Sequence, residues 1–143
     1  MLMSFTDNRT SELWRQFMPR RKEIKNRHGD DRFSVEVYPG DFWERFDAGV
    51  PFEKWAAVEV TDFEQVPTGM EQLVIPTGRY AVFIHRGPAS TGPITYHYIF
   101  ETWLPQSDFR LDDRPHFAVM GESYRSEDPL SEEKIWIPVT RRR

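Results

Sequence analysis

Arg114-Pro-His-Phe-Ala-Val-Met-Gly-Glu-Ser-Tyr124, followed after a polar link by Glu133-Lys-Ile-Trp-Ile-Pro-Val139, is the stretch on which the fold of this chain turns. Both pieces are short and rich in Val, Ile, Phe and Trp. They are separated by Ser126-Glu-Asp-Pro-Leu-Ser131, so each reads as a strand and the link as a loop. A period of two puts Phe117 and Val119 on one face of the first strand, and Ala118, Met120 and Glu122 on the other. On the second, Ile135, Ile137 and Val139 oppose Lys134, Trp136 and Pro138. Neither strand alternates cleanly between apolar and polar, so both faces are expected to meet protein or a ligand. Pro138 has no N–H to give to a ladder, which predicts an edge or a strand end. A small ligand is expected close to this pair.

The pattern has a counterpart upstream. Leu13-Trp-Arg-Gln-Phe-Met-Pro19 matches Ile99-Phe-Glu-Thr-Trp-Leu-Pro105 position for position: aliphatic, aromatic, two polar, aromatic, aliphatic, proline. Phe33-Ser-Val-Glu-Val37 matches Phe117-Ala-Val-Met-Gly121, and Glu53-Lys54 matches Glu133-Lys134. Three matches in one order define a strand–helix–strand–strand unit used twice, with pseudo-repeats over about 1–60 and 78–140. Two such units predict an α+β fold: one antiparallel sheet, both helices on one face, a pseudo-twofold between the halves and a cleft where they meet.

Around this frame, Met1 to Thr6 reads as a short opening strand. Thr10 is the expected N-cap of a helix that carries Leu13, Trp14, Phe17 and Met18 and is restarted by Pro19. Strands are expected at Arg32–Tyr38, Lys54–Val60, Glu71–Ile75 and Gly78–His85. The stretch from Asp41 to Pro51 reads as mixed loop, and a second helix as running from Thr91 to about Leu104.

Composition narrows the function. The 143 residues fit one domain, 1–143, with a single core. Aromatic content is 15%, with 11 Phe, 5 Trp and 5 Tyr, which fits either a heavily packed interior or an aromatic cavity. A net charge of −4 argues against direct nucleic-acid binding. Arg20-Arg-Lys22 is expected on a solvated helix face and Arg141-Arg-Arg143 at a frayed end. The absence of cysteine excludes disulfides, thiolate chemistry and Cys-ligated zinc. His28, His85, His97 and His116 show no metal-ligand spacing, so neither a metal nor a cofactor is expected. No apolar run could span a bilayer and no signal-peptide pattern is present, so a cytoplasmic protein without membrane contact is expected.

The chain resembles the GyrI-like effector-binding family, the ligand-binding module of AraC- and MerR-type regulators. The resemblance is carried by Thr10-Ser-Glu-Leu-Trp-Arg-Gln-Phe-Met-Pro19, Phe52-Glu-Lys-Trp-Ala-Ala-Val-Glu-Val60, Arg79-Tyr-Ala-Val-Phe83, Thr102-Trp-Leu-Pro105, Leu111-Asp-Asp-Arg-Pro-His-Phe117 and Ile135-Trp-Ile-Pro-Val139. It implies the duplicated fold and an aromatic cavity for bulky, hydrophobic, often cationic compounds. It also implies a fused or separate DNA-binding partner. Some stand-alone members resemble hydrolases that open cyclopropane rings of DNA-alkylating natural products with a Glu-activated water, and others act as protein inhibitors of gyrase type. The family pattern carries a glutamate at the cavity floor where this chain has Ala118. A carboxylate about 4 Å from a cation is worth up to about 4 kcal/mol at an effective dielectric near 20. A cation–π contact supplies about 0.5–2 kcal/mol. Ala118 is therefore expected to weaken cation selectivity more than binding of flat hydrophobic molecules.

Glu59 and Glu122 are the candidates to replace that charge, or to act as general base in a hydrolase, with Glu36 a third and weaker one. The expected ligand-binding set is Tyr38, Trp55, Glu59, Phe83, Tyr96, Trp103, Ala118, Met120 and Trp136, in which flat rings with polar tips suit a wall that also meets a ligand heteroatom.

Overall fold

The structure is a computed structural model and describes residues 1–143. In chain order the elements are β1 (Leu2–Met3), α1 (Thr10–Phe17), β2 (Arg32–Val37), β3 (Phe52–Ala57), β4 (Tyr80–Arg86), α2 (Gly92–Tyr98), β5 (Phe109–Leu111), β6 (His116–Met120) and β7 (Glu132–Arg141). The strands form one antiparallel sheet in the order β1-β3-β2-β6-β7-β4, with β5 pairing β7 off this path. This is the α+β architecture expected, with α1 and α2 against the same face.

Local chemistry explains the helices. Thr10 is the first helical residue rather than the cap; Asn8 Oδ1 accepts from the Thr10 amide (3.0 Å) and hydroxyl (2.6 Å), so Asn8 holds the entry to α1. At Pro19 the helix tightens into a 3₁₀ run, Met18–Glu23. The second helix widens instead: α2 passes through a π turn at Ile99–Trp103 before a last turn at Leu104–Gln106. Ile99, fully buried, anchors that turn on Ala118, Ile135, Ile137 and Val139 of the sheet. A second cluster of Met3, Phe42 and Phe52 sits beneath Leu13 of α1.

The pairing register makes the duplication visible. Across the central β2–β6 ladder, Phe33 pairs Val119, Ser34 pairs Ala118 and Val35 pairs Phe117, so the two copies of the Phe-x-Val motif meet about an axis through Ser34 and Ala118. One part of the sequence alignment slips by a residue. Lys54 pairs Glu36 while Glu133 pairs Met120, so Lys54 is the counterpart of Glu133 and not of Lys134. A slip of one residue exchanges the faces of a strand, and it places Lys54 and Glu133 on the helix side together.

Three further expectations change. Pro138 is not on an edge strand, because β7 lies between β6 and β4. It falls between the stretch of β7 that pairs β6 and the stretch that pairs β5, where a missing N–H breaks no ladder pair. Glu71–Ile75 forms no strand; residues 61–79 run irregularly from β3 toward β4, with Val74 largely exposed. The Arg141–Arg143 end is not frayed: Arg141 closes β7, and the Arg142 guanidinium donates to the carbonyls of Ser107 (3.2 Å) and Leu104 (3.1 Å).

Candidate functional site

Polar residues that the apolar sheet would be expected to exclude are gathered at its centre, on the helix face, about the Ser34–Ala118 axis. On one side Glu36 and Lys54 form a buried ion pair. On the other, Met120 pairs Glu133, and Glu133 in turn pairs His85 of β4. Desolvation by the surrounding protein raises the Glu133 pKa, opposed by the charges of His85 and Lys54 and reinforced by Glu36. Glu36 has a cation of its own, whereas no salt bridge engages Glu133. It is the free carboxylate of this floor.

Tyrosines close over the floor from both halves. The Tyr96 phenol on α2 is pushed well above its ordinary pKa, first by burial and then by the charges of Glu36 and Glu133, with Tyr38 and Tyr124 also near. Tyr38 is pushed up in the same sense by burial and Glu36. Both rings nevertheless keep accessible surface, as does Glu133. Both phenols and the carboxylate are thus desolvated by protein on most sides yet not sealed. His85 is fixed beneath α2, its Nδ1 sharing a hydrogen bond with the Thr95 hydroxyl at 2.7 Å.

Aromatic rings pack together at one end of this floor. His116 meets Tyr38 edge-on at 4.9 Å, and burial lowers its pKa to about 3, so the imidazole is neutral. Trp43, from the loop between β2 and β3, stacks on Phe46 of its own half (5.6 Å) and on Phe100 of the π turn (4.7 Å), joining the halves. Its indole N–H is buried without a partner. At the opposite end the Arg32 guanidinium lies over the Tyr124 ring at 5.6 Å.

The sequence-derived set divides accordingly. Tyr38, Tyr96, Ala118 and Met120 come together at this centre. Phe83 and Trp103 are on the same face but meet edge-to-face at 5.1 Å within the apolar cluster under α2. Trp136 is on the opposite face, stacked on Phe117 at 5.3 Å. Trp55 pairs Val35 and so is also on the face opposite the helices, its indole N–H bonded to Glu53. Glu59 follows the end of β3 and Glu122 the end of β6; both carboxylates are exposed, away from the centre. The residues that sequence reasoning missed are Lys54, Glu133, His85, His116 and Trp43. The duplicated Glu-Lys pair marked Lys54 and Glu133, but the one-residue slip hid their common face.

Residues 3–140 match the GyrI-like small molecule binding domain. The chain is also similar to the transcriptional regulator BrlR of Pseudomonas aeruginosa, at 28% identity over 129 residues, which is 90% of this chain and 45% of that protein. The chain thus spans about half the length of this curated relative.

Proposed function

We propose a ligand class and a place for it, from the premise that this chain belongs to the GyrI-like small molecule binding domain family. The ligand is a bulky hydrophobic, cationic aromatic compound held on the helix face at the junction of the halves. One observation carries the reading: the Glu133 carboxylate is desolvated, free of a salt-bridge partner and set near Tyr96. An unpaired carboxylate in such surroundings is costly in the free protein, and a cation that enters removes the cost. The aromatic rings supply apolar contact and cation–π attraction. Ala118 lies on the axis between the strand positions of Glu36 and Glu133, and the charge the family pattern places at this position is supplied from these flanks.

Binding is tested by saturable quenching of tryptophan fluorescence with an aromatic quaternary ammonium compound, repeated on Glu133→Gln. The substitution is expected to weaken the cation at least about tenfold and to spare its uncharged carbon isostere. Residues 1–143 then act as one effector-binding module, with a fused or separate DNA-binding partner, in the cytoplasm. No helix is long and apolar enough to cross a membrane.

A second reading draws on the same carboxylate. A glutamate whose pKa is raised by burial is a better general base near neutral pH, which supports hydrolysis of a strained electrophile by activated water. Turnover of a cyclopropane-bearing substrate that disappears in Glu133→Gln is the expected result; binding without turnover removes this reading.

A further inference from the structure

The sheet has a notch where β4 begins. Tyr80, the first residue of β4, pairs Pro138 of β7, and one bond beyond this pair runs from the Val139 amide to the Arg79 carbonyl (3.0 Å). β7 itself continues along β5 as far as Arg141. The Arg142 amide donates to the Asp108 carbonyl (2.8 Å), so Arg142 and Thr140 turn their main chain to β5. Neighbouring residues present these groups to opposite sides of a strand, and Arg141 therefore turns its N–H to the side that β4 does not reach. No turn or loop hydrogen bond takes that N–H. A cavity of about 420 Å³ occupies the gap, with Thr77, Arg79, Asp112, Arg114, Thr140 and Arg141 among its walls.

The charge of these walls is lopsided. Three guanidinium groups line the space with one carboxylate, a surplus of two positive charges in a chain whose net charge is −4. Asp112 is already engaged, its Oδ2 accepting from Arg114 Nε at 2.8 Å. No salt bridge engages Arg79 or Arg141. Both of their guanidinium groups lie 5.6 Å from the centre of the Phe109 ring, which brings two like charges to one side chain.

Arg114 is fixed in place. Its Nη2 donates to the carbonyls of Arg79 (2.6 Å) and Val139 (3.2 Å), and the Tyr80 ring lies against the guanidinium at 4.5 Å. Gly78 packs so closely that a Cβ there would collide with the guanidinium. Nε and Nη2 are thus taken, while Nη1 is buried without a partner. Donors left unpaired away from water are costly, and an acceptor in the notch would satisfy them. The edge of a guanidinium matches the paired oxygens of a phosphoryl group. A surplus of two charges suits a phosphate monoester, a dianion above about pH 6. The cavity has the volume of a small-molecule site, so it has room for more than the phosphoryl group itself.

We propose that this notch binds a dianionic phosphoryl group, on a small phosphate monoester or as free phosphate. Arg114 Nη1 and the Arg141 amide would donate to its oxygens, and the Arg79 and Arg141 guanidinium groups would balance its charge. Glu133 is at the other end of β7, so the site stands or falls without the cleft at the Ser34–Ala118 axis.

The probe is phenyl phosphate, titrated into the whole chain at about pH 7.5 and constant ionic strength while amide signals are followed by NMR. Saturable shifts are expected at Gly78, Arg79 and Arg141, with Ala118 and Glu133 unmoved. Phenyl sulfate has the same shape with one charge fewer and is expected to bind at least about tenfold more weakly. At about pH 5 phenyl phosphate becomes a monoanion, and its affinity should fall toward that of the sulfate. Arg79→Gln and Arg141→Gln break no ion pair of the fold, and each should weaken phenyl phosphate at least about fivefold. Arg143→Gln removes the same charge outside the notch and should change nothing. Inorganic phosphate separates the two sources: affinity equal to that of the ester supports the free ion, and weaker affinity supports the ester. Shifts that do not saturate, equal affinity for phenyl sulfate, unchanged binding in Arg79→Gln and Arg141→Gln, or an equal loss in Arg143→Gln would each overturn the proposal.

Discussion

Ser34 and Ala118 face each other directly across the β2–β6 ladder, each occupying in its own half the position the other occupies in the second. Small side chains on the axis leave the floor flat and put its charges to the sides. Ala118 is only 3% exposed and packs on Ile99, Ile135, Ile137 and Val139. Ala118→Glu is therefore expected to lower the melting temperature, a buried unpaired carboxylate costing at least about 2 kcal/mol. Lipophilic cations should restore more stability to this variant than to the parent chain in a thermal-shift series. Equal shifts would remove position 118 from the site.

The Glu36–Lys54 pair is expected to act as a unit. Lys54→Met leaves the Glu36 carboxylate buried without its cation, for which roughly 3–5 kcal/mol is the usual cost. Replacing both partners by methionine should recover most of the loss, because an apolar pair of similar volume needs no compensation. Chemical denaturation of the single and double variants measures this directly. A double variant no more stable than the single one would contradict the pairing.

His116 sets an acid limit on stability. Burial takes its pKa to about 3, below the ordinary value of 6.5, so the unfolded chain binds the proton first. The stabilisation is complete above about pH 6.5 and is lost progressively as pH falls toward 3. At about 1.36 kcal/mol per unit the swing is a few kcal/mol. His116→Phe should flatten this limb of the stability curve between those pH values, as followed by denaturant midpoint; an unchanged limb would place the acid sensitivity elsewhere.

Glu133 works in the opposite sense. Its folded pKa is raised, so its protonated form favours folding, and that contribution is fully present at low pH and lost as pH rises through the folded pKa. Glu133→Gln removes the cost of the ionised form and is expected to raise the melting temperature of the free protein at neutral pH by a few degrees. A lower melting temperature would mean that the carboxylate holds the fold together instead of waiting for a ligand.

The fold was legible because it rests on periodicity. The Phe-x-Val copies identified β2 and β6, and these strands do meet about the axis. The helix motifs ending in Pro19 and Pro105 marked the two helical stretches on one face. The site was less legible because it depends on register. With Glu53-Lys54 set against Glu133-Lys134, Lys54 and Glu133 fall on different faces, and only the ladder pairing brings them together. Glu59 looked like a mid-strand residue because Val58 and Val60 flank it, but β3 ends at Ala57, where the chain departs to pair Val60 with Arg27. Trp43 was hidden in a stretch with no period at all, and its role comes from stacking on Phe100, distant in sequence.

The central claim is that a desolvated carboxylate between two like halves selects a cation. Calorimetric titration of the parent chain and Glu133→Gln with a bulky aromatic quaternary ammonium and with its uncharged carbon isostere tests it most directly. The predicted result is a preference of at least about tenfold for the cation in the parent chain, corresponding to about 1.4 kcal/mol, that vanishes in the variant while isostere affinity stays the same. Equal affinities for the two compounds in the parent chain, or a preference that survives Glu133→Gln, would contradict it.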